Sequence, residues 1–393
     1  MRESWRWFGP NDPVSLDEIR QTGATDIVSA LHHIPIGEVW PREEIAAHKA
    51  LIEAHNDTMA PLHWTVVESI PVHDDIKLAA SGHEAYVDAW IETLENLAAE
   101  GITTICYNFM PVIDWTRTDL RYQLPSGVFA LRFDQDRFAA FDLFILEREG
   151  AAKDYSPEEI ARAEAVHAVM TPDETALLTQ TIIAGLPGKM TDAYSLGDFR
   201  KGLARYAHVD HDALRQNLFA FLARVLPVAE RLDVKLAIHP DDPPWDMFGL
   251  PRIICTPEDL EKLFGRLASP ANGMTLCVGT YGSRPDNDLP QMARDYAERI
   301  HFAHLRGVTR DPDEQRSFFE ASHLDSDIDM VRVIRHLLEN ERSLGREIYI
   351  RPDHGHLMLG DVNRTSNPGY SGIGRMKGLA EIRGVIKAVS TAQ

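Results

Sequence analysis

The segment IHFAHLRG (300–307) is a short apolar run that ends near His304, a residue able to bind a metal. Three other segments have the same design, a β-like apolar run followed by a donor side chain. They are VKLAIHP (234–240) with His239, MTLCVGT (274–280) with Cys277, and EIYIRPDHGH (347–356) with Asp353. Alternation along the first segment predicts that Phe302, His304 and Arg306 lie on one face of a strand.

Runs of this kind alternate with helix-like runs over much of the chain. The expected strands cover 4–8, 25–33, 62–69, 102–109, 234–239, 273–279, 301–307 and 347–352. The expected helices between and after them cover 16–23, 41–56, 83–101, 211–233, 256–268, 286–300, 327–340 and 372–389. Such alternation indicates parallel βαβ units. Eight units favour an α/β fold, the (β/α)8 TIM barrel, with its functional site at the carboxyl ends of the strands. An open doubly wound sheet is the alternative, which the lack of a G-x-G-x-x-G motif after the first strand weakens.

The alternation of strands and helices is interrupted between about residues 110 and 210, which are mostly polar and contain no clear strand. We therefore expect a single barrel domain over residues 1–393, interrupted by a long and largely helical insertion. Helices are expected at 156–170 and 173–188, and Ser156 with Glu159 predicts a capping box at the first of them. Long insertions in compact domains are more often functional than idle.

Composition restricts the class of protein and its partners. The 393 residues are 44% hydrophobic and carry a formal charge of −20, which disfavours binding to nucleic acid or anionic membrane. No apolar stretch approaches the roughly 20 residues needed to cross a bilayer, and the N-terminus has no signal-peptide core. Cys106, Cys255 and Cys277 are too sparse for a disulfide framework. These features predict a cytoplasmic protein with a small-molecule partner, and a homo-oligomer of two or four chains.

The four donors predict one metal centre, although no pair of them has a local metal-binding spacing. A set of thiolate and imidazole ligands favours Zn²⁺ or Fe²⁺, and the carboxylate keeps Mn²⁺ open. Four protein ligands would make a tetrahedral zinc site structural. A catalytic role requires a coordination shell that can expand, which favours Fe²⁺ or Mn²⁺.

The segment RPDHGH (351–356) carries the densest set of reactive groups. Arg351 is a candidate for a two-pronged contact with a substrate carboxylate. His354 is a candidate general base, and the alternative is that it only orients Asp353. In NPGYSGIGR (367–375), Tyr370 is a candidate acid, and the alternative is an ordinary loop aromatic.

Further arginines are candidates for substrate binding because they lie near the expected strand ends. They are Arg306, Arg284 and Arg117. Weaker candidates in the same region are His32, His33, Glu68, His73, Asn108 and Arg121. For each weaker candidate, a solvated or structural role is at least as plausible.

The chain resembles the mannonate dehydratase family in motifs that keep the same order and similar spacing from residue 4 to about the last helix. They are WRWFGPNDPVSL, ALHHIPIGEVW, CYNFMPVIDWTRTDL, AIHPDDPP, GLPRI, CVGTYGSRPDND, FAHLR, RPDHGH and NPGYSGIGR. The resemblance implies a metal-dependent (β/α)8 barrel, similar to xylose-isomerase-like barrels. It also implies removal of water from D-mannonate to give 2-keto-3-deoxy-D-gluconate in hexuronate (glucuronate) catabolism.

The resemblance also implies roles for individual residues. It favours one Mn²⁺ or Fe²⁺ per subunit, over Zn²⁺, held by His239, Cys277, His304 and Asp353. The acid/base pair would be His354 and Tyr370. Two competing hypotheses stay open, a metal-dependent barrel isomerase or epimerase and a non-catalytic, metal-stabilised protein that binds sugar acids.

Overall fold

The strands define the architecture. A computed structural model describes residues 1–183, 195–314 and 316–391. Its strands are β1 (Arg2–Arg6), β2 (Asp26–Ser29), β3 (His63–Glu68), β4 (Thr104–Tyr107), β5 (Asp119–Gln123), β6 (Phe129–Phe133), β7 (Lys235–Ile238), β8 (Asn272–Cys277), β9 (Ile300–His304), β10 (Gly307–Arg310), β11 (Phe318–Ala321) and β12 (Tyr349–Arg351).

Eight of these strands form a closed barrel in the order β1-β12-β9-β8-β7-β4-β3-β2. Every neighbouring pair is parallel. Each barrel strand overlaps one of the eight strands expected from the sequence, so the TIM barrel is confirmed. Because all eight run in one direction, their carboxyl ends meet at a single rim.

Helices follow most of the barrel strands and lie outside the barrel. They are α1 (Leu16–Thr22), α2 (Arg42–Glu53), α3 (Asp74–Lys77), α4 (Glu84–Ala99), α5 (Gln135–Ala140), α6 (Pro157–Val169), α7 (Pro172–Ile183), α8 (Leu196–Arg205), α9 (His211–Arg231), α10 (Pro257–Arg266), α11 (Val278–Gly282), α12 (Leu289–Asp295), α13 (Met330–Leu344) and α14 (Gly372–Thr391). A π-helical turn covers Phe141–Ile145, and 3-10 turns cover Ala151–Asp154 and Leu359–Asn363.

The expected helices are confirmed, with bounds that differ by a few residues at several ends. The capping box of Ser156 and Glu159 begins α6 as predicted. Helix α12 starts later than the expected 286–300, because Asp288 caps it and Pro290 occupies its first turn, and it ends at Asp295. Residues 184–188 of the helix expected at 173–188 lie outside the described residues.

The expectation that 110–210 contains no clear strand was wrong. Strands β5 and β6 form an antiparallel pair there, and β6 pairs with β11, which pairs with β10, so that a second, four-stranded sheet forms. Phe133 in β6 is opposite Phe318 in β11. The sheet joins the insertion to the chain immediately after His304, because β9 ends at His304 and β10 begins at Gly307.

The barrel interior is filled by one side chain from each of five strands. They are Val28, Val66, Cys106, Ala237 and Phe302, all buried. Phe302 lies inside the barrel, on the face that strand alternation predicts. A much larger apolar cluster packs the outer faces of the strands against the helices. The interior layer supports the rim where the strands end.

Two expectations about the kind of protein can be compared with the described residues. No helix among them is both long enough and apolar enough to traverse a bilayer. The three cysteines are free and buried, as expected for a chain without a disulfide framework.

Candidate active site

Three donor side chains meet at the carboxyl rim of the barrel. One ligand atom from each of His239, Cys277 and His304 lies within 4.8 Å of the other two. Cys277 and His304 end β8 and β9 and are direct partners across that ladder, while His239 follows β7 immediately. The parallel register therefore brings together residues that are far apart in the chain, at a spacing suited to one shared cation.

The two imidazoles fit a metal site in their hydrogen bonding. Nδ1 of His239 lies 2.7 Å from the carbonyl oxygen of Pro240, so this nitrogen donates and Nε2 keeps its lone pair. Nε2 of the buried His304 has no hydrogen-bond partner among the described residues, and its nearest carboxylate oxygen, on Glu68, is 3.5 Å away. A buried nitrogen left without a partner costs about 1–3 kcal/mol. A divalent cation would satisfy it.

Asp353 lies beside these three donors and is also held by two arginines. Its Oδ2 is 3.7 Å from Cys277 Sγ, and its Oδ1 is 3.9 Å from His304 Nδ1. Arg351 Nη1 and Arg306 Nε approach its carboxylate to 2.6 and 3.2 Å. Burial opposes its ionisation, but the Arg351 guanidinium and the other cations around it hold the pKa of Asp353 well below its usual range. The carboxylate is anionic and available as a ligand.

His354 is oriented by a carboxylate that the sequence analysis did not identify. Its Nδ1 lies 2.8 and 2.9 Å from the two carboxylate oxygens of Glu320, and 3.0 Å from Arg306 Nη1. Burial opposes the ionisation of Glu320, but the neighbouring Arg306 and His354 favour it more strongly. The net effect is to lower the pKa of Glu320 to about 2. Because Glu320 is ionised, Nδ1 of His354 is the donor. Nε2 is then the basic nitrogen of the ring.

Tyr370 packs against His354 and keeps its proton. The two rings meet edge to face with centroids 4.9 Å apart, and Phe8 contacts the tyrosine ring in the same way at 4.7 Å. Tyr370 is buried, and this burial raises the pKa of its hydroxyl to about 12. A hydroxyl that stays protonated at neutral pH suits the role of an acid.

Arg117 and Arg306 are buried and paired with two acidic side chains. Arg117 binds Asp242 at 2.7 Å and Glu320 at 2.9 Å. Arg306 binds the same two carboxylates at 3.2 and 2.5 Å. Both guanidiniums therefore support the site from behind His354. Substrate binding by either arginine stays a prediction.

Arg351 and Arg284 lie in different places. Arg351 faces the cavity and holds Glu68 through two nitrogens, at 2.9 and 3.2 Å. Arg284 lies in a separate surface groove, where it binds Asp286 and the carbonyl oxygen of Pro244. The structure does not bring Arg284 to the metal-binding residues, and its predicted contact with substrate stays untested.

A small cavity of about 50 Å³ joins these groups at the rim. Its lining includes His239, Asp353, His354, Tyr370, Arg351, Glu68 and Asn108. Among the weaker candidates, His32 and His33 line a neighbouring cavity, and His73 accepts a hydrogen bond from Asp75 at the start of α3. Arg121 is exposed.

Sequence reasoning missed Glu320, Asp242, Trp115 and Arg6. The ring of Trp115 meets that of His354 at 6.0 Å, and Arg6 lines the cavity. Asp242 and Trp115 lie inside quoted motifs, AIHPDDPP and IDWTRTDL, so a closer reading of their positions would have found them. Glu320 is a lone carboxylate in an apolar run, which is a weak signal by itself.

Comparison with known proteins gives a consistent result. The family model described as D-mannonate dehydratase (UxuA) matches residues 1–393. A mannonate dehydratase from Chromohalobacter salexigens is 53% identical over 393 residues, covering 99% of both chains. One from Marinomonas sp. is 52% identical over 390 residues, covering 98% of both.

Solved structures agree with these relatives. The crystal structure of mannonate dehydratase from Streptococcus suis serotype2 has a TM-score of 0.77 at 33% identity, covering 100% of this chain and 94% of that chain. A D-tagatose 3-epimerase-like protein shares the fold alone, with a TM-score of 0.50 at 11% identity over 100% of this chain and 99% of that chain. The chain therefore belongs to the D-mannonate dehydratase family, and it is a hydro-lyase.

Proposed function

We propose that this protein removes water from D-mannonate to give 2-keto-3-deoxy-D-gluconate, and that it needs one divalent metal, Mn²⁺ or Fe²⁺, to do so. The ligands would be His239, Cys277, His304 and Asp353. The observation that carries the proposal is the meeting of three strand-end donors within 4.8 Å, beside a histidine and a tyrosine with suitable proton-transfer properties.

The chemistry requires loss of a very weakly acidic proton next to a carboxylate. A divalent cation at the four ligands would supply Lewis-acid stabilisation for negative charge on the substrate carboxylate and the C2 hydroxyl. Nε2 of His354 takes the C2 proton. It is free to do so because Glu320 holds the ring proton of His354 on Nδ1. General-base help of this kind is worth about 10²–10⁴-fold in rate.

The departing hydroxyl on C3 needs a proton to leave as water. Tyr370 is placed to give it, since its phenol is protonated at neutral pH and its ring lies against His354. The enol that remains gains a proton at C3 and loses the proton of its C2 hydroxyl, so that it becomes the 2-keto product and the two side chains regain their original protonation states. One molecule of mannonate thus gives one keto acid and one water.

The test is an assay of the purified protein on D-mannonate. We expect a 2-keto-3-deoxy acid, detected by its α-keto group and a mass lower by one water than that of the substrate. Treatment with a chelator should abolish the activity, and Mn²⁺ or Fe²⁺ should restore it. An aldose supplied in place of mannonate serves as the control and should stay unchanged. No product with either metal, or epimerisation of the aldose, would contradict the proposal.

We extend the proposal to the setting of the reaction. The protein would act in the cytoplasm on sugar acids from hexuronate breakdown, as a single-domain subunit of a dimer or tetramer. Three free, buried cysteines support a reducing compartment. The charge of −20 supports a role that involves no binding to nucleic acid or to an anionic membrane. Sedimentation of the purified protein tests the assembly, and a monomer would overturn that part.

A further inference from the structure

Arg6 ends strand β1 and lines the same cavity as His239 and Tyr370. The residue is only 7% exposed. Its Nε and Nη1 have no hydrogen-bond partner among the described residues. The closest acidic oxygen, Glu68 Oε2, is 3.4 Å from Nη1, and Nη2 lies 3.5 Å from His32 Nε2. Arg6 is thus a buried cation with open donors at the site.

The other arginines at the site have shorter contacts with carboxylates than the 3.4 Å that separates Arg6 from Glu68. Arg117, Arg306 and Arg351 each have a carboxylate oxygen within 2.9 Å. Glu68 is the only carboxylate recorded as an ion-pair partner of Arg6 among the described residues, and Arg351 lies closer to both of its oxygens, at 2.9 and 3.2 Å. Leaving a buried, charged donor without an acceptor is costly, and an incoming anion would remove that cost.

We propose that Arg6 binds the carboxylate of the substrate, which makes it a determinant of specificity for sugar acids over neutral sugars. This inference rests on the proposed function and deepens it. Phe8 follows two residues later and contacts Tyr370, so the segment immediately after β1 links the carboxylate-binding position to the proposed acid.

The test compares Arg6→Gln and Arg6→Lys with the wild type. Removing a buried charged contact to a ligand costs about 2–5 kcal/mol, so we expect KM for D-mannonate to rise at least about 30-fold in Arg6→Gln. The change in kcat should be smaller. Arg6→Lys keeps a cation and should recover part of the loss. Arg2→Gln is the matched control, because Arg2 lies on the same strand at the opposite end of the barrel and pairs with Asp26.

A second readout separates this role from a structural one. D-gluconate, which has the carboxylate, should inhibit Arg6→Gln far more weakly than wild type, whereas inhibition by D-mannitol, which lacks it, should not change. Metal content and the unfolding midpoint should stay near wild-type values. Equal loss of affinity for both inhibitors, or loss of metal, would show that Arg6 only supports Glu68 and would overturn the inference.

The two proposals fail in different ways. Absence of product from wild-type protein and D-mannonate overturns the proposed function. The role of Arg6 is then decided by calorimetry with D-gluconate, in which wild type should bind and Arg6→Gln should bind at least about 30-fold more weakly. Equal binding by the two proteins, or none by wild type, overturns the role of Arg6.

Discussion

At the scale of single residues, the site depends on how each donor is held before any ligand arrives. Pro240 sets the donor nitrogen of His239, and Glu320 sets that of His354. Asp353 is shared between the metal-binding residues and two arginines. Its replacement therefore tests both ligand binding and charge balance.

Asp353→Ala should abolish metal retention, because it removes the only carboxylate proposed as a ligand. It should also destabilise the fold by about 3–5 kcal/mol, since Arg351 and Arg306 lose a buried partner. Asp353→Asn keeps the shape of the side chain and should lose metal with less damage to stability. Elemental analysis of purified protein measures this, with the exposed Asp325→Ala as control. Full metal occupancy in both Asp353 variants would contradict the ligand assignment.

Tyr370→Phe keeps both ring contacts and removes only the hydroxyl. We expect metal to stay bound while turnover of D-mannonate falls by about 10²-fold or more, as for loss of a general acid. Tyr122→Phe, in strand β5 outside the cavity, should have no such effect. Steady-state kinetics and metal analysis on the same samples check this. A Tyr370→Phe enzyme with wild-type rates would remove Tyr370 from the mechanism.

At the scale of elements, helix α14 positions the segment that carries Asp353 and His354. Its first turn lies directly on that segment, where a Cβ at Gly374 would come within 2.0 Å of the carbonyl oxygen of His356. An isolated bridge pairs Gly355 with Tyr370 just before the helix begins. The close approach of helix and segment requires a residue without a side chain at position 374.

Gly374→Ala should therefore separate the helix from the segment. We expect a loss of about 1–3 kcal/mol in the free energy of unfolding, as for overpacking. A displacement of about 1 Å at the catalytic groups would lower kcat/KM by about 10²-fold. Urea unfolding and kinetics measure the two effects.

Gly384→Ala is the matched control on the same helix. Nothing lies within 4 Å of its added Cβ, so the change should stabilise the helix by about 0.5–1 kcal/mol. If Gly374→Ala were as stable and as active as the wild type, the close contact would not be important for the site.

At the scale of the whole molecule, stability should depend on buried histidines far from the site. His301 is the second residue of β9 and lies at the opposite end of that strand from His304. It is buried, and burial together with the nearby Arg346 lowers its pKa from 6.5 to about 3. In the unfolded chain the same group takes up a proton near pH 6.5.

Between these two pH values the unfolded chain binds more protons than the native one, so stability falls as pH drops below about 6.5. At pH 5 this amounts to about 2 kcal/mol. His301→Gln should lose less stability than wild type between pH 7 and pH 5, and the exposed His55→Gln should behave as wild type. Urea unfolding at both pH values measures it. Equal pH dependence in wild type and His301→Gln would contradict the assignment.

The barrel and its rim could be predicted from the sequence because their signals are local. An apolar run followed by a donor, found in four of the eight expected strands, indicates both a strand and its carboxyl end. Parallel closure of the barrel then brings His239, Cys277 and His304 together. His354 and Tyr370 are candidates for proton transfer from their own segments, and the family resemblance then implies that they form the acid/base pair and favours Mn²⁺ or Fe²⁺ over Zn²⁺. That the whole chain is one domain stays a prediction.

The second sheet and the charge network could not be predicted in the same way. Strands β6 and β11 are short apolar runs, but nothing in either run indicates a partner nearly two hundred positions away. Glu320, carried by β11, became recognisable only when folding placed it against His354. Nε and Nη1 of Arg6 have no hydrogen-bond partner among the described residues. The sequence could not predict this, because only the three-dimensional packing determines which groups surround a side chain.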